Sequence, residues 1–497
     1  MKKILAMVLA LTLTIGCLAG CGEQNPETKA PETKATESNV PKESDAPKAT
    51  EATDDGSTEA DDTGWLGTED GQVITLRLWG GVQAEYGYSE LCENFNEEYK
   101  DRGLQVEYTH YVNDTNGNLQ LETNLMAGEG VDVFMGYGGR SKLNKRVEAG
   151  LVMEFSDALE ERGFDLYKEL GTANMSSFKF DDGSVYGFPT KYENNRWLMI
   201  NVDMFNEAGV EIPYDGWTYS EFLSACEKLT KGEGQDKVYA ISYTLKQDSA
   251  PIKAIIGSVL GENINYVDRE CSAVSYDNEV YKEGFNMLMT TLNNGWAISM
   301  EDEVAENLSV ANTYLKGKCA MTTCISQMRL VMDQAGYPHD FTTALVPGPV
   351  PDGAEYQTEY YRTHAAVTGA GDLMCIAAKT QYPEQAVEFA LWYLQGGMAP
   401  LAKGGRIPLW TGMDKNKVID VLTANAGGTM DLDSMRNYLS IDNTKGLINI
   451  VSTVNSQITT VFNEEWQAMC YGRQSVDDTI KNMTERSNKL LADAKNQ

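Results

Sequence analysis

Residues 183–222 read GSVYGFPTKYENNRWLMINVDMFNEAGVEIPYDGWTYSEF, and this stretch decides the fold. Its pattern predicts a strand over Val185–Phe188, which ends at Pro189 because proline has no N–H to donate to a ladder. A polar crossing, Thr190–Asn195, follows. A second strand is then predicted over Arg196–Asn201, so two strands are joined with very few residues to spare.

Helix signals continue the same stretch. A short helix is predicted over Asp203–Ala208, and it ends at Gly209, which can adopt the left-handed conformation of a helix cap. Thr218 and Glu221 then form the pattern of a capping box in front of apolar residues at helical spacing.

The residues before this stretch predict a parallel sheet. Strands are predicted over Ile74–Trp79, Leu104–Tyr111 and Val131–Phe134, and two helices alternate with them. The second helix carries an apolar face of four residues, Leu119, Leu121, Leu125 and Met126. This βαβαβ order requires helical crossovers between parallel strands.

Length and charge narrow the class of protein. A chain of 497 residues exceeds one ordinary core, so two lobes are expected. It has 41 basic and 73 acidic residues and a formal charge of −32. This charge argues against nucleic-acid binding, which needs a basic surface, and it suits a soluble secreted protein.

The order of these motifs resembles the bacterial extracellular solute-binding proteins (family 1, sugar-type) of ABC importers. That family has a dG-x-x-YG-x-P pattern, a strand that ends in YN, an lF-x-x-aG turn and a TW-x-ef helix start. Here Ile200 replaces the usual Tyr, and Trp217–Thr218 inverts the usual order. The stretch around Val131–Phe134 resembles a second signature, with Val131 in place of Pro. Gly404–Pro408 resembles a late loop of the family.

The resemblance implies a periplasmic-binding-protein-like α/β fold, in which crossing hinge strands join two lobes around a ligand cleft. The first lobe is expected at 72–189 and 325–378, and the second at 196–320 and 380–497. Phe341–Pro347 and Asp372–Ala378 would be strands of the first lobe. In the second lobe we expect a strand at Val238–Thr244 and helices at Ala250–Leu260 and Asn278–Asn293, followed late in the chain by a helix from Pro383.

The N-terminus has the pattern of a secretion signal. Residues 1–20 hold two lysines, an apolar run from Ile4 to Ile15, and a cleavage region. Leu18–Cys21 resembles a bacterial lipobox, which implies cleavage before Cys21 and attachment of palmitate-type acyl chains to it. Residues 21–63 are of low complexity and predict a disordered acidic linker, which would tether the folded part to the membrane. Secretion without lipid is the alternative.

The cysteines indicate no disulfide framework. Without Cys17 and Cys21, seven remain, and their spacing matches neither disulfides nor a zinc site. We expect free thiols, with Cys92, Cys226 and Cys375 acting as small buried apolar residues.

Ligands of open α/β sheets lie beyond the carboxyl ends of the strands, and this rule selects several loops. Sugars need aromatic platforms together with side chains that donate and accept hydrogen bonds in pairs. The selected loops supply both kinds of residue. The predicted ligand-binding residues are Trp79, Gln83, Tyr137, Arg140, Tyr192, Glu193, Asn194, Tyr243 and Trp410, with Lys191 beside them.

Some of these residues have a second interpretation. Glu193 and Arg140 occupy the spacings of two sugar-contacting residues in maltodextrin-binding members of the family, which favours both. Trp79 is equally consistent with a place in the core, and Arg140 with a solvated helix start. Trp410 could stack on a sugar or cover the second lobe. Trp197 is expected in the core, and the run Tyr360–His364 is open between ligand contact and surface loop.

Other chemistry receives little support. The three histidines have no zinc-site pattern, and no nucleophile elbow, P-loop or dinucleotide motif is present, so we predict no enzyme activity, metal or cofactor. A glycosidase needs only two carboxylates, so residue types do not exclude a secreted carbohydrate-active enzyme, which stays an alternative; motif order and the lipid signal argue against it. A peptide, polyamine or anion in the same fold is the other alternative.

The sequence therefore predicts a lipid-anchored receptor on the outer face of the cell membrane. It would be a monomer that captures a carbohydrate, an oligosaccharide, and delivers it to the permease subunits of an ABC transporter. It would contact the membrane through its lipid alone and bind no nucleic acid.

Overall fold

The structure is a computed structural model that describes residues 64–176, 178–180, 182–246, 249–260, 267–268, 270–323, 325–364, 372–441 and 452–495. The predicted signal segment, the lipid attachment at Cys21, the linker and Cys324 lie outside these residues. The structure therefore bears only on the predictions made for the folded part of the chain.

The strands of the described chain are short. In chain order they are β1 (Ile74–Gly80), β2 (Leu104–His110), β3 (Val133–Gly136), β4 (Val152–Met153), β5 (Phe188–Pro189), β6 (Lys191–Tyr192), β7 (Leu198–Asn201), β8 (Tyr239–Ser242), β9 (Cys319–Thr322), β10 (Thr343–Val346), β11 (Leu373–Ala377) and β12 (Ile407–Pro408).

Helices surround these strands. In chain order they are α1 (Tyr88–Tyr99), α2 (Thr115–Ala127), α3 (Gly139–Glu148), α4 (Ser156–Glu161), α5 (Leu166–Leu170), α6 (Thr172–Ser176), α7 (Val202–Ala208), α8 (Tyr219–Leu229), α9 (Ala250–Gly257), α10 (Glu279–Asn293), α11 (Met300–Ala305), α12 (Met328–Val331), α13 (Pro383–Trp392), α14 (Lys415–Thr423), α15 (Leu432–Leu439), α16 (Asn455–Cys470) and α17 (Val476–Lys495). None of these helices combines the length and the apolar character needed to cross a bilayer.

The first sheet has the strand order β2-β1-β3-β11-β4, with β5 also paired to β11. β1 runs parallel to β2 and β3, as the βαβαβ pattern predicts, whereas β11 runs antiparallel to β3. The core of this lobe includes Leu78, Phe134 and Phe389, which are fully buried. Phe389 lies on α13, so this helix belongs to the first lobe and not to the second, where it was expected.

The second sheet has the order β10-β7-β9-β8. β10 pairs antiparallel with β7 from Thr343–Asn201 to Val346–Leu198. The expectation that Phe341–Pro347 forms a first-lobe strand is therefore wrong, because its backbone partners lie in the other sheet. A separate apolar cluster, which includes Phe222, Phe285 and Trp466, covers this sheet.

The predicted crossing joins the two sheets. β5 lies in the first sheet and β7 in the second, and between them β6 pairs with β12, its one strand partner in the part of the chain that the structure describes. We refer to Thr190–Trp197 as the crossing segment. The capping box that follows is confirmed, since Thr218 Oγ1 accepts from the N–H of Glu221 and the Glu221 carboxylate accepts from the N–H of Thr218.

Helix α2 faces the core with a different set of residues from the one predicted. Asp114 caps its start, and Asn118, Leu121 and Leu125 are buried at helical spacing. Leu119 and Met126, which were expected on the same face, are more than half exposed.

The cysteines of the folded part carry free thiols, as expected, in the residues that the structure describes. Cys226, Cys319 and Cys375 are buried, and burial raises the pKa of Cys319 and of Cys375 to about 12. Cys92 is only partly buried and packs against the first core.

Candidate functional site

The loops that follow β1 and β3 meet at the carboxyl edge of the first sheet. The hydroxyl of Tyr137, one residue beyond β3, accepts a hydrogen bond of 2.8 Å from the backbone N–H of Gly81. A Cβ atom at Gly81 would lie 2.7 Å from the Tyr137 ring, so glycine is needed for this close approach. Burial raises the pKa of Tyr137 well above its usual value, and the phenol therefore stays protonated. Tyr137 ties the two loops together from a buried position.

Four charged side chains lie beyond this edge, and we call them the charge cluster: Lys191, Glu193, Asp372 and Arg406. Lys191 Nζ lies 2.5 Å from a carboxylate oxygen of Glu193. Arg406 Nε donates to the carboxylate of Asp372 at 2.8 Å. All four side chains retain between 11% and 24% of their exposure, so the cluster is partly open to solvent.

Backbone pairing positions the cluster. Lys191 lies in β6, which pairs with β12 directly after Arg406, and Asp372 immediately precedes β11. Thr190 donates through both its N–H, at 3.2 Å, and its hydroxyl, at 2.8 Å, to the carbonyl of Asp372. Three segments that are distant in sequence are thereby fixed next to one another.

The cluster is electrically balanced, with two cations and two anions. Burial by itself would lower the pKa of Lys191, but the nearby carboxylates of Glu193 and Asp372 outweigh that effect and raise it. Burial also opposes the charge of Arg406, and Asp372 again outweighs it and raises the pKa. Such a group of paired donors and acceptors suits an uncharged ligand rich in hydroxyl groups.

The side chains of the crossing segment alternate between two faces, as expected for extended chain. Lys191 and Glu193, which belong to the charge cluster, project from one face. Tyr192 and Asn194, which were predicted to bind ligand, are buried on the other face against Tyr438 of α15. The Tyr192 hydroxyl donates to the Tyr438 carbonyl at 3.2 Å, and the Asn194 N–H donates to the Tyr438 hydroxyl at 3.0 Å. The structure therefore separates these two residues from Glu193.

Trp79 and Tyr243 are also buried. The indole N–H of Trp79 donates to the carbonyl of Gly130 at 2.7 Å, and its ring packs in the first core. Tyr243 is 1% exposed in the second core, where the hydroxyl of Thr291 donates to its phenol oxygen at 3.2 Å. Ligand contact by either ring would require the side chain to leave its core, because both are packed among apolar residues.

Arg140, Trp410 and Gln83 keep accessible surface. The guanidinium of Arg140 lies over the Phe180 ring, 3.7 Å from its centroid, and donates to the Lys179 carbonyl at 2.9 Å. The indole of Trp410 donates to the carboxylate of Glu169 at 2.8 Å and packs on the first core, not on the second lobe. Gln83 is exposed in the loop after β1. Together with Lys191 and Glu193, these three are the predicted ligand-binding residues that keep accessible surface.

Three further residues belong to this part of the molecule and were missed. Asp372 and Arg406 lie in segments whose strand and loop were recognised, but their pairing depends on residues far away in sequence. Tyr86, in the short 3₁₀ turn Ala84–Tyr86, is 43% exposed and stands against Gly404 of the late loop. The rule that selected Gln83 would also have selected Tyr86, since both follow the end of β1.

At the carboxyl edge of the second sheet, Glu303 of α11 contacts the end of β8 and the loop after it. Its side chain is buried and accepts from the N–H of Lys246 at 3.1 Å and from the hydroxyl of Ser242 at 3.4 Å. Burial raises its pKa to about 7. Glu303 thus fixes the loop after β8 by a hydrogen bond to its backbone and is shielded from solvent. In the parts of the chain that the structure describes, no group of His, Cys, Asp or Glu side chains could hold a metal ion.

Comparison with known proteins adds to these observations. Residues 90–426 match the family described as bacterial extracellular solute-binding protein. A search of curated protein sequences found no match.

Solved structures with the same fold include several sugar-binding proteins. A sugar transporter from Rhizobium etli, in an open conformation, has 21% identity and a TM-score of 0.64, with 84% of this chain and 99% of that chain covered. The cyclic alpha-maltosyl-1,6-maltose binding protein of Arthrobacter globiformis has 13% identity and a TM-score of 0.62, with 84% and 99% covered. The sugar-binding protein MalE of Xanthomonas citri has 16% identity and a TM-score of 0.61, with 85% and 98% covered.

Proposed function

Because the chain belongs to the bacterial extracellular solute-binding proteins, whose two-lobed α/β fold it shares, we propose that it captures a carbohydrate, an oligosaccharide, outside the cell. In this proposal the solute binds beyond the carboxyl edge of the first sheet and is delivered to the permease of an ABC transporter. The protein acts as a receptor, and no catalytic step is assigned to it.

The charge cluster is the observation that carries the proposal. A polyamine would need carboxylates that lack a cationic partner, and an anion would need unpaired cations. Here Lys191 faces Glu193 and Arg406 faces Asp372, so neither sign is in excess. Paired charges present both donors and acceptors to hydroxyl groups. Tyr86 is exposed and Trp410 partly exposed, and their rings would supply apolar faces for the C–H groups of a sugar ring.

The crossing segment connects the two sheets, and bending within it would allow the two lobes to close. A solute that contacts both lobes favours the closed arrangement only through contacts that the open arrangement lacks. Hinge motion at a few residues between the sheets is sufficient for such a movement. We expect the closed, loaded form to be the one that the permease recognises.

A thermal-shift screen tests the choice of ligand. Bound ligand raises the melting temperature, by an amount that increases with concentration. We expect oligosaccharides to raise it, and peptides, polyamines and inorganic anions to leave it unchanged. A shift with one of these other classes, and none with any oligosaccharide, would contradict the carbohydrate assignment.

Calorimetry on two variants tests the location. Glu193→Ala and Arg140→Ala are each expected to weaken binding of the best oligosaccharide by at least about 1 kcal/mol, as for the loss of a charged hydrogen bond. Glu160→Ala, at an exposed position of α4, is the matched control and should bind as the parent protein does. If both test variants also bind normally, the solute lies elsewhere.

Membrane anchoring is a separate part of the proposal. We propose that Cys21 carries the lipid and that residues 21–63 form the tether. Mass spectrometry of the protein purified from membranes should find acyl chains on an N-terminal Cys21. The Cys21→Ser variant should be released into the medium, and retention of this variant in the membrane would contradict the lipid anchor.

A further inference from the structure

Glu169, in the short helix α5, holds the turn after β12 at two points. The indole N–H of Trp410 donates to its carboxylate at 2.8 Å, and the backbone N–H of Thr411 donates to its carbonyl at 3.0 Å. Glu169 and Trp410 are 241 residues apart in the chain. One contact therefore acts on the ring of Trp410, and the other fixes the backbone beside it.

Helix α5 is a firm support for these contacts. Leu166 and Leu170, on either side of Glu169 in sequence, are fully buried in the first core. Asp165 caps the helix, because its carboxylate accepts from two N–H groups of the first turn, both at 3.1 Å. The buried leucines and the cap hold the backbone from which the Glu169 side chain reaches the indole.

Backbone pairing brings Trp410 close to the charge cluster. Strand β12 pairs Pro408 with Lys191, and the N–H of Leu409 donates to the carbonyl of Thr190 at 2.8 Å. Trp410 follows directly, with its side chain partly exposed. The backbone of Trp410 is thereby fixed beside the segment that carries the cluster.

The hydrogen bond to Glu169 decides how the ring is oriented. An indole has a single N–H donor, so this bond uses the whole hydrogen-bonding capacity of the Trp410 side chain. Glycines lie against the ring. A Cβ atom at Gly412 would lie 2.4 Å from the six-membered ring, so glycine is needed for this close approach, and a Cβ atom at Gly396 would lie 3.6 Å from it.

Stacking on a sugar requires the ring to present its face in one orientation. A ring that is already held in that orientation lowers the cost of binding, because less freedom is lost when the solute arrives. We propose that Glu169 is a positioning residue for solute binding: its carboxylate holds the indole of Trp410 in the orientation that stacks on a sugar. Glu169 itself does not contact the solute. This inference rests on the proposed function, the capture of a carbohydrate beside the charge cluster.

Fluorescence of the protein without solute tests the hold on the ring. The chain has 8 tryptophans, so the signal of Trp410 is obtained by subtracting the spectrum of a Trp410→Phe variant in the matching background. Glu169→Ala removes the carboxylate but keeps the backbone contact to Thr411, and it should make acrylamide quench this signal more strongly. Glu169→Gln still offers an oxygen to the indole N–H and should restore the parent behaviour. Equal quenching in the parent and in Glu169→Ala would overturn the proposal.

Calorimetry on the full chain with maltotriose, cellotriose, xylotriose and raffinose, each alone, tests the effect on binding. Glu169→Ala should weaken the tightest of these probes about 2- to 10-fold, the range expected for the loss of an aromatic contact. Glu169→Gln should recover most of this loss. Lys168→Ala is the matched control, because it removes a cation 3.6 Å from the same carboxylate and leaves the indole contact in place, so it should bind as the parent chain does.

A double variant separates this role from general support of the fold. Trp410→Phe keeps a ring but has no N–H for Glu169 to hold, so adding Glu169→Ala to it should cause no further loss of affinity. The same fold-loss in both backgrounds, or normal binding by Glu169→Ala, would overturn the positioning role alone. Absence of binding by the parent chain to all four probes would instead overturn it through the carbohydrate assignment on which it rests.

Discussion

Each of the two sheets has a glutamate near its carboxyl edge, and the two glutamates differ in burial and in their hydrogen-bond partners. Glu193 faces Lys191 at 2.5 Å and remains partly exposed. Glu303 is buried and is held by the N–H of Lys246 and the hydroxyl of Ser242. One tyrosine from each edge differs in the same way, since Tyr86 is 43% exposed near the first edge and Tyr243 is 1% exposed near the second.

This difference indicates separate roles for the two edges, with solute binding at the first and structural support at the second. Partly exposed, paired charges can exchange one partner for a ligand hydroxyl at little cost, because solvent already reaches them. A buried carboxylate held by backbone donors is fixed in place, and it fixes the loop above it. We therefore expect changes at the second edge to alter folding stability alone, and changes at the first edge to alter solute affinity, with a loss of stability as well only where a partly buried ion pair is broken.

The largest effect is expected for Tyr243→Ala. Removal of a buried aromatic side chain should lower the free energy of unfolding by about 3–5 kcal/mol, because it leaves a cavity in the second core. Urea denaturation measures this loss. Tyr243→Phe, which keeps the ring, is the control and should cost much less. A loss under about 1 kcal/mol in Tyr243→Ala would mean that the second edge is not packed as described.

Glu303→Gln should change how stability depends on pH. The native carboxyl keeps its proton up to a pH of about 7, whereas a glutamate in the unfolded chain releases it near 4.5. Between these values the native state binds more protons, so the contribution of Glu303 to stability falls as pH rises. The total is on the order of 3 kcal/mol, at 1.4 kcal/mol per pKa unit.

Glutamine does not titrate, so the variant should gain stability relative to the parent protein between pH 5 and pH 8. Melting temperatures of both proteins at the two pH values measure the gain. The titratable neighbours of Glu303 include Lys246, Cys319 and Cys470, and burial lowers the pKa of Lys246. These residues are identical in the two proteins. Parallel pH curves would show that Glu303 is charged throughout.

Arg406→Met should have an intermediate effect, about 2 kcal/mol of stability, because it leaves the partly buried Asp372 without its cation. This value lies between those of exposed and fully buried ion pairs. Affinity for the solute should fall as well, since the variant unbalances the charge cluster. Arg406→Lys retains the charge and should recover part of both losses. Full affinity in Arg406→Met, measured by calorimetry, would exclude Arg406 from the binding site.

The smallest effect on stability is expected for Tyr86→Ala. An exposed side chain should change the free energy of unfolding by no more than about 0.5 kcal/mol. Affinity for the best oligosaccharide should fall by about 1 kcal/mol, as for the loss of an aromatic contact. Tyr86→Phe should bind normally. If Tyr86→Ala unfolds more easily and binds normally, the proposed division between the two edges is wrong.

Part of the candidate site was predictable from sequence. The rule that ligands lie beyond strand ends selected Gln83, Tyr137 and Glu193, and the structure places all three at or near the first edge. Tyr137 is nevertheless buried, and so are Trp79 and Tyr243, which the rule also selected. The rule finds the loop but gives no direction for the side chain, because direction depends on what packs against it.

The sequence by itself determined the local elements around the crossing. Gly209 and the pair Thr218–Glu221 act on backbone groups within a few residues of themselves, so their effects do not depend on the rest of the chain. The bounds of the strand predicted over Val185–Phe188 are wrong, because β5 is Phe188–Pro189 and Pro189 pairs with Leu373. Proline is tolerated there because an edge strand does not need every N–H. The alternation along the crossing segment is likewise a property of extended chain.

Only the tertiary structure decided which sheet receives β10 and which face of the crossing segment stays open. β10 pairs with a strand about 140 residues earlier, and Tyr192 is buried by Tyr438, 246 residues away. The charge cluster similarly joins Lys191 to Asp372 and Arg406. Burial and pairing of this kind arise from contacts between distant segments, and those contacts exist only once the chain has folded.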